Sequence, residues 1–437
     1  MTTAELTKKD TFLAALSPLQ FNEDSYFEGL RNNAKNELAE LDFPTSKTEY
    51  WKYTRLGKII NNTYTLGRPE KIDITNFLIP NLEAYVLVVI NGYYSPELSK
   101  FTEIDGVTLT SLSVAKKQGF EGLKKHFNQF TQNKKEIFLA LNNAFHTDGI
   151  YLEVAKNNNV EKPYHILNIT TGSNTVSQSR NLFIGNVGSQ VKIIESFINV
   201  GGEKNFNNHV SEFFVAENTY LEYNKIQDKK EANFSIATEQ VYQEANSNFT
   251  INTATFNGAL VRNNLNIEVD ASNCETNLNG LYLGKNKDHI DNHTVVDHKK
   301  PHCNSNEVYR GVLDDESTGV FNGKVFVRQD AQITNAFQQN NNILLSDNAT
   351  ANSKPELEIY ADDVKCTHGA TIGQIDENAL FYLRSRGISE EASRGIIMHA
   401  FTNETLESMS VDSVKNYCAN LVADWFDQRN LKLEALV

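Results

Sequence analysis

Between residues 161 and 355 the chain is a long succession of short β-prone runs with almost no helical periodicity, and nothing else in the sequence limits the fold as strongly. The series opens with HILNIT at His165, passes through QVKIIESFI at Gln190, HVSEFFVA at His209 and GVFNGKVFV at Gly319, and fades near LEIYA at Leu357. About one residue in six here is Asn, which tolerates left-handed backbone angles and suits tight corners between strands. Open sheets rarely exceed about ten strands, so one flat sheet cannot absorb the stretch. A sandwich or barrel of hairpins is one solution; a solenoid with coils of about 20 residues is the other. Asn-Gly and Asp-Gly pairs are scarce between adjacent runs, which favours the solenoid. The fold class expected is mainly β, a parallel β-helix core.

Helical patterns flank this core. From Glu23 to Leu41, Phe27, Leu30, Ala34, Leu38 and Leu41 recur at spacings of three and four, and Pro44 closes the segment. Gly119 to Phe130 and Lys135 to Phe145 read as further helices, and Tyr85 to Ile90 as a strand ended by Asn91-Gly92. Near the other terminus Asp376 can cap a helix stopped at Gly387, and Ser389 can cap the next. Val411 to Phe426 places Val414, Cys418, Leu421, Val422 and Trp425 on one face. The expected organisation is a mostly helical segment at 1–160, a β core at 161–372 and a helical segment at 373–437. Trp425, Phe426 and Tyr417 are either the core of that last segment or anchors for a partner.

Charge and composition exclude several functions. The formal net charge of −14 repels phosphate backbones, so nucleic acid is not an expected partner. The start MTTAELTKKDTFLAAL lacks the pattern of a secretory signal, and no apolar run approaches the roughly 20 residues of a membrane helix. A cytoplasmic location is expected. Cys274, Cys303, Cys366 and Cys418 form no C-x-x-C pair and read as reduced thiols. The closest approach to a phosphate-binding loop, GLYLGK at Gly280 to Lys285, has the wrong spacing and no following Ser or Thr.

Several segments are similar to the SufB/SufD family of iron–sulfur cluster assembly proteins. FPTSKTEYWKYT (Phe43 to Thr54), LNNAFHTDGIYLEV (Leu141 to Val154), HIDNHTVVDHKKPHCNSNEVYRGVLDD (His289 to Asp315), GVFNGKVFVRQDAQITNAFQQNNNILLSD (Gly319 to Asp347) and KPELEIYADDVKCTHGATIGQIDENALFYLRSRGI (Lys354 to Ile388) carry the resemblance in order. TEYWKYT and CTHGATIGQ look like the SufD branch. The resemblance implies a right-handed parallel β-helix that pairs with SufB, docks the SufC ATPase through its C-terminal helices, and is not itself an enzyme. No intrinsic cofactor is implied, only a transient iron–sulfur cluster in the complex. A side-by-side homodimer is expected when the chain is isolated, because exposed sheet edges invite pairing.

Cys366 and His368 are two apart, so on a strand both side chains share a face. A thiolate and an imidazole are competent ligands for iron or zinc, though only half of a closed site. The resemblance implies that His368 lies at the SufB interface and takes part in cluster assembly, whereas Cys366 reads chiefly as packing. His289, His293, His298, His302 and Cys303 form a second cluster; their spacing fits no standard zinc pattern and suits structural hydrogen bonding. Asp362 and Asp363 are adjacent and would face opposite sides of a strand, which favours a corner role over a shared acid–base or calcium site. Two competing functions remain: a cytosolic β-helix carbohydrate-active enzyme using that pair, and a stand-alone metal-binding protein using the histidine cluster.

Overall fold

In the computed structural model, residues 7–132, 134–228, 232–429 and 431 are described; positions 1–6 and 432–437, the outer margins of the two flanking segments, lie outside the described residues. From Tyr164–Thr171 to Val364–Gly373, successive strands alternate between two ten-stranded sheets. Neighbouring strands within each sheet run parallel along this stretch, giving a β-solenoid of about eight turns. The turn length differs from the expected 20 residues. Val176 stands beside Phe206, Phe206 beside Phe234, and Phe234 beside Leu260, so a turn takes about 30 residues. Most strands run ten residues, and each turn holds two of them plus two corners.

The corners explain the asparagines. Asn218, Asn246 and Asn273 occupy the same corner of three successive turns with φ of 57°, 55° and 60°. Their amides continue the ladder through the bend: Asn218 N–H donates to Ala245 O at 3.0 Å and Asn246 N–H to Ser272 O at 3.0 Å. His302 (φ 64°) and Ile333 (φ 58°) fill this corner in the next two turns.

Inside the solenoid, residues of one register stack into columns. Phe183, Phe213, Val241, Ile267, Val296 and Val325 form one such column, each at 1% exposure or less. Burying side chains of this kind contributes about 1.5–3 kcal/mol apiece. The lumen also holds polar groups in pairs. Lys225 Nζ donates to Glu239 Oε1 at 2.6 Å, and the Tyr223 hydroxyl donates to Glu195 Oε2 at 2.5 Å. Pairing offsets the desolvation that would otherwise make such burial unfavourable.

One end of the stack is capped. Strand Tyr85–Ile90 pairs with Tyr164–Thr171, and Ile150–Val154 with Thr175–Gly185; Tyr93–Tyr94 and Val107–Ser111 then extend the two sheets with antiparallel edges. Helix Ser25–Glu40, capped by Asp24, and helix Ile137–Phe145 pack around them as the periodicity suggests. The helix expected from Gly119 to Phe130 is shorter, Glu121–His126, and a separate helix, Leu112–Gln118, precedes it. Gly119 is left-handed (φ +67°) and therefore ends the preceding one. Arg180, fully buried under this cap, pairs with Glu212 at 2.5 Å and donates to Thr131 at 2.8 Å.

Three C-terminal helices, Glu377–Ser385, Glu390–Leu406 and Asp412–Asp427, begin at the expected caps Asp376 and Ser389 where those apply. The last two cover the outer face of the second sheet, with Met398, Val414, Val422, Trp425 and Phe426 against Ile226, Phe256, Leu281 and Ile343. Trp425 and Phe426 are therefore buried in the core rather than free as partner anchors, and Tyr417 packs beside them. The exposed aromatics of this segment are Phe381 (74%) and Tyr382 (57%). Among the described residues, no helix is long and apolar enough to cross a membrane.

Candidate functional site

The last turn is built unlike the others. Strands Tyr164–Thr171 and Thr175–Gly185, next to the cap, are buried at every position, whereas Thr350–Ile359 is half-buried or exposed throughout and Val364–Gly373 is mostly exposed. These two strands are the free edges of the two sheets. Around them Ile333, Phe337, Ile359, Tyr360 and Ile372 are each 40–56% exposed. Unpaired backbone and exposed apolar side chains thus occur on and beside the last strands of the stack.

Cys366 and His368 sit on the terminal strand Val364–Gly373. Their register partners are Ala336 and Gln338, which are buried in the lumen, so both side chains belong to the luminal face. The expectation of one shared face holds. Cys366 is half-buried against Val325, Val327, Ala336 and Ala361, and burial pushes its thiol above the ordinary value. His368 is exposed at the mouth, where the solenoid stops. Beneath it the lumen is polar. Gln338 Nε2 donates to Glu307 Oε2 at 2.7 Å, and Thr294 Oγ1 donates to Glu307 Oε1 at 2.5 Å. Burial raises the Glu307 carboxyl to about 7, so near neutrality it exchanges between neutral and charged forms.

The histidine cluster disperses. His289 Nε2 contacts the Thr54 hydroxyl at 2.8 Å, and His293 Nε2 lies 2.9 Å from Asp291 Oδ1 on the outer face beneath Tyr50. His298 points inward, with Nε2 at 2.9 Å from Ser305 Oγ, and burial lowers its pKa to about 4. His302 bends a corner, and the Cys303 thiol donates to Ala271 O at 3.2 Å. Among the described residues no three His, Cys, Asp or Glu side chains converge as a metal site. The parity shared by His298 and His302 in the sequence is lost because strand His289–His298 ends before His302. The TEYWKYT element finds its place here: Trp51 stacks under the Arg262 guanidinium at 3.8 Å, and Arg262 pairs with Asp291 at 2.6 Å. It fastens the cap to the sheet. Asp362 and Asp363 occupy the exposed corner before the last strand, where Asp363 N–H donates to Gln332 Oε1 at 2.9 Å. Gly280 to Gly284 lies within strand Glu275–Gly284 and forms no phosphate loop.

Two family models cover nearly the whole chain. The SufBD protein N-terminal region matches residues 6–166, and the SufBD core domain of the SUF system for FeS cluster assembly matches residues 168–401. The chain belongs to the SufBD family. An iron–sulfur cluster assembly SufBD family protein of Synechocystis sp. is 31% identical over 94% of each chain. The iron–sulfur cluster assembly protein SufD of Escherichia coli is 30% identical over 87% of this chain and 88% of its own. The protein of the same name from Bacillus subtilis is 22% identical over 92% and 94%. These likenesses agree with the SufD branch read from TEYWKYT and CTHGATIGQ.

Within this SufBD chain, sequence reasoning singled out Cys366 and His368 but not Glu307 and Gln338, which the structure places on the same luminal face. The latter two sit in polar runs, SNEVY and FQQNNN, where inward and outward positions are alike polar and alternation carries no signal.

Proposed function

We propose that this SufBD protein is a non-catalytic scaffold subunit for iron–sulfur cluster assembly, and that the open end of its solenoid is the face that meets a SufB-type partner. The observation that carries this reading is the end of the stack: a free strand edge carries His368, and five apolar side chains are exposed on or beside the two edge strands. Free edges accept a strand from another chain, which supplies main-chain hydrogen bonds, while the apolar side chains supply burial. The nascent cluster is cargo at that junction. His368 would offer a neutral imidazole, which binds iron and can leave on protonation, and the partner would complete the ligand set. Cys366 is a weaker candidate contact, since its thiol is partly buried and held in the protonated form. No cofactor resident in this chain alone enters the reading. The isolated chain would use the same edge to form a homodimer.

The C-terminal helices are proposed as the docking element for a SufC-type ATPase, through Phe381 and Tyr382 rather than Trp425. ATP turnover then belongs to that partner. Co-expression with SufB and SufC followed by co-purification tests the assembly. His368→Ala should leave the complex intact and lower cluster yield; wild-type yield from that variant would remove the ligand role. Phe381→Ser with Tyr382→Ser should weaken SufC retention alone, and undiminished retention would move the docking site elsewhere.

A further inference from the structure

His368 needs one ring nitrogen bare if it is to bind a metal, and the hydrogen bond made by the other nitrogen selects which one that is. The register places one side chain beside His368. Gln338 is the register partner of His368 on the neighbouring strand, on the same luminal face, and is 0% exposed. Its amide nitrogen is committed, donating to Glu307 Oε2 at 2.7 Å. Its amide oxygen, Oε1, is buried without a hydrogen-bond partner among the described residues. With the nitrogen turned down the column toward Glu307, the oxygen is free for a donor from the last turn.

The surroundings are shaped around this amide. Glu307 is itself the register partner of Gln338 and is fixed from the opposite sheet by Thr294. Gly323, the register partner of Thr294, leaves the space that the amide occupies; a Cβ there would stand 2.4 Å from Gln338 Nε2. Glu307 and Gln338 form a column, braced across the lumen by Thr294, that ends beneath His368.

We propose that Gln338 is a positioning residue for His368: its Oε1 accepts the N–H of one ring nitrogen, leaving the other bare toward the mouth, while Glu307 fixes the amide. This rests on the reading of His368 as a cluster contact, but it is tested without any cluster. The full chain is labelled with ¹⁵N-histidine and studied by NMR at a pH where imidazole is neutral, with His368→Ala identifying the signal. The unaltered chain should show His368 as a single tautomer. Gln338→Leu should lose that pattern and give averaged ring-nitrogen shifts, while Glu307→Gln, which still accepts from Gln338 Nε2, should keep it. Unchanged signals of the other histidines report an intact fold, and Gln338→Met takes the place of Gln338→Leu if the latter does not fold. An averaged His368 signal in the unaltered chain, or a single tautomer that survives loss of the amide, would overturn the proposal. A fixed tautomer alongside normal cluster yield from His368→Ala would keep the positioning and remove the ligand role.

Discussion

The two ends of the solenoid use the same strands and corners yet finish them in opposite ways. At the first end, extra antiparallel strands, two helices and a buried ion pair cover the stack. At the last end the strands simply stop, with Tyr360 and Ile372 in solvent and a polar lumen opening beneath His368. The comparison teaches where stability and function are kept in this molecule. The capped end holds the fold; the open end is the face proposed to meet another chain.

The largest difference should appear on breaking the buried pair of the capped end. Arg180→Ala leaves Glu212 without its ion-pair partner in a fully buried site, and should lower unfolding free energy by about 3–5 kcal/mol in a denaturant melt. A loss near zero would show that the cap contributes little. Next come matched truncations in the lumen. Ile193→Ala, at 0% exposure near the cap, should cost about 2–5 kcal/mol. Leu357→Ala, half-buried in the last turn, should cost roughly 1 kcal/mol, because less apolar area leaves water there on folding. Equal costs would erase the contrast between the ends.

The pH dependence should differ in sign. Glu23, held by Arg31 at 2.5 Å, has its carboxyl lowered from 4.5 to about 2; burial opposes this, but the ion pair and hydrogen bonds prevail. Its contribution is present above pH 4.5 and lost as pH falls toward 2. Glu307 is raised by burial from 4.5 to about 7, so between those values the folded state binds more protons. That contribution is present below pH 4.5 and lost as pH rises through 7. Melts of Glu307→Gln should lack the alkaline fall, whereas Glu23→Gln should lack the acid one. The smallest effect belongs to the exposed rim: Tyr360→Ser should change stability by no more than about 0.5 kcal/mol.

Much of this contrast was legible in the sequence where single residues obey local rules. The corner asparagines Asn218, Asn246 and Asn273, the helix caps Asp376 and Ser389, and the shared face of Cys366 and His368 all follow from backbone geometry. The turn length was not legible, because inward Glu195, Lys225, Glu239 and Gln338 interrupt the apolar alternation that would mark a ten-residue strand. Trp425 illustrates the other difficulty. Its helical face is plain in the sequence, but whether that face meets the chain's own sheet or a partner depends on where Leu281 and Ile343 lie, over 80 residues earlier. The histidine cluster reads as structural hydrogen bonding in the sequence and is so in the structure, where a corner at His302 separates rings that are neighbours only in the chain.

The central claim, that the unfinished end is the docking face, is tested most directly by amide hydrogen exchange on the chain alone and in complex with SufB. In the isolated protein the edge strands Thr350–Ile359 and Val364–Gly373 should exchange faster than Tyr164–Thr171 and Thr175–Gly185, which lie under the cap. Adding SufB should slow exchange at those two edge strands first and most. Protection that appears elsewhere, with Val364–Gly373 exchanging as before, would contradict the account.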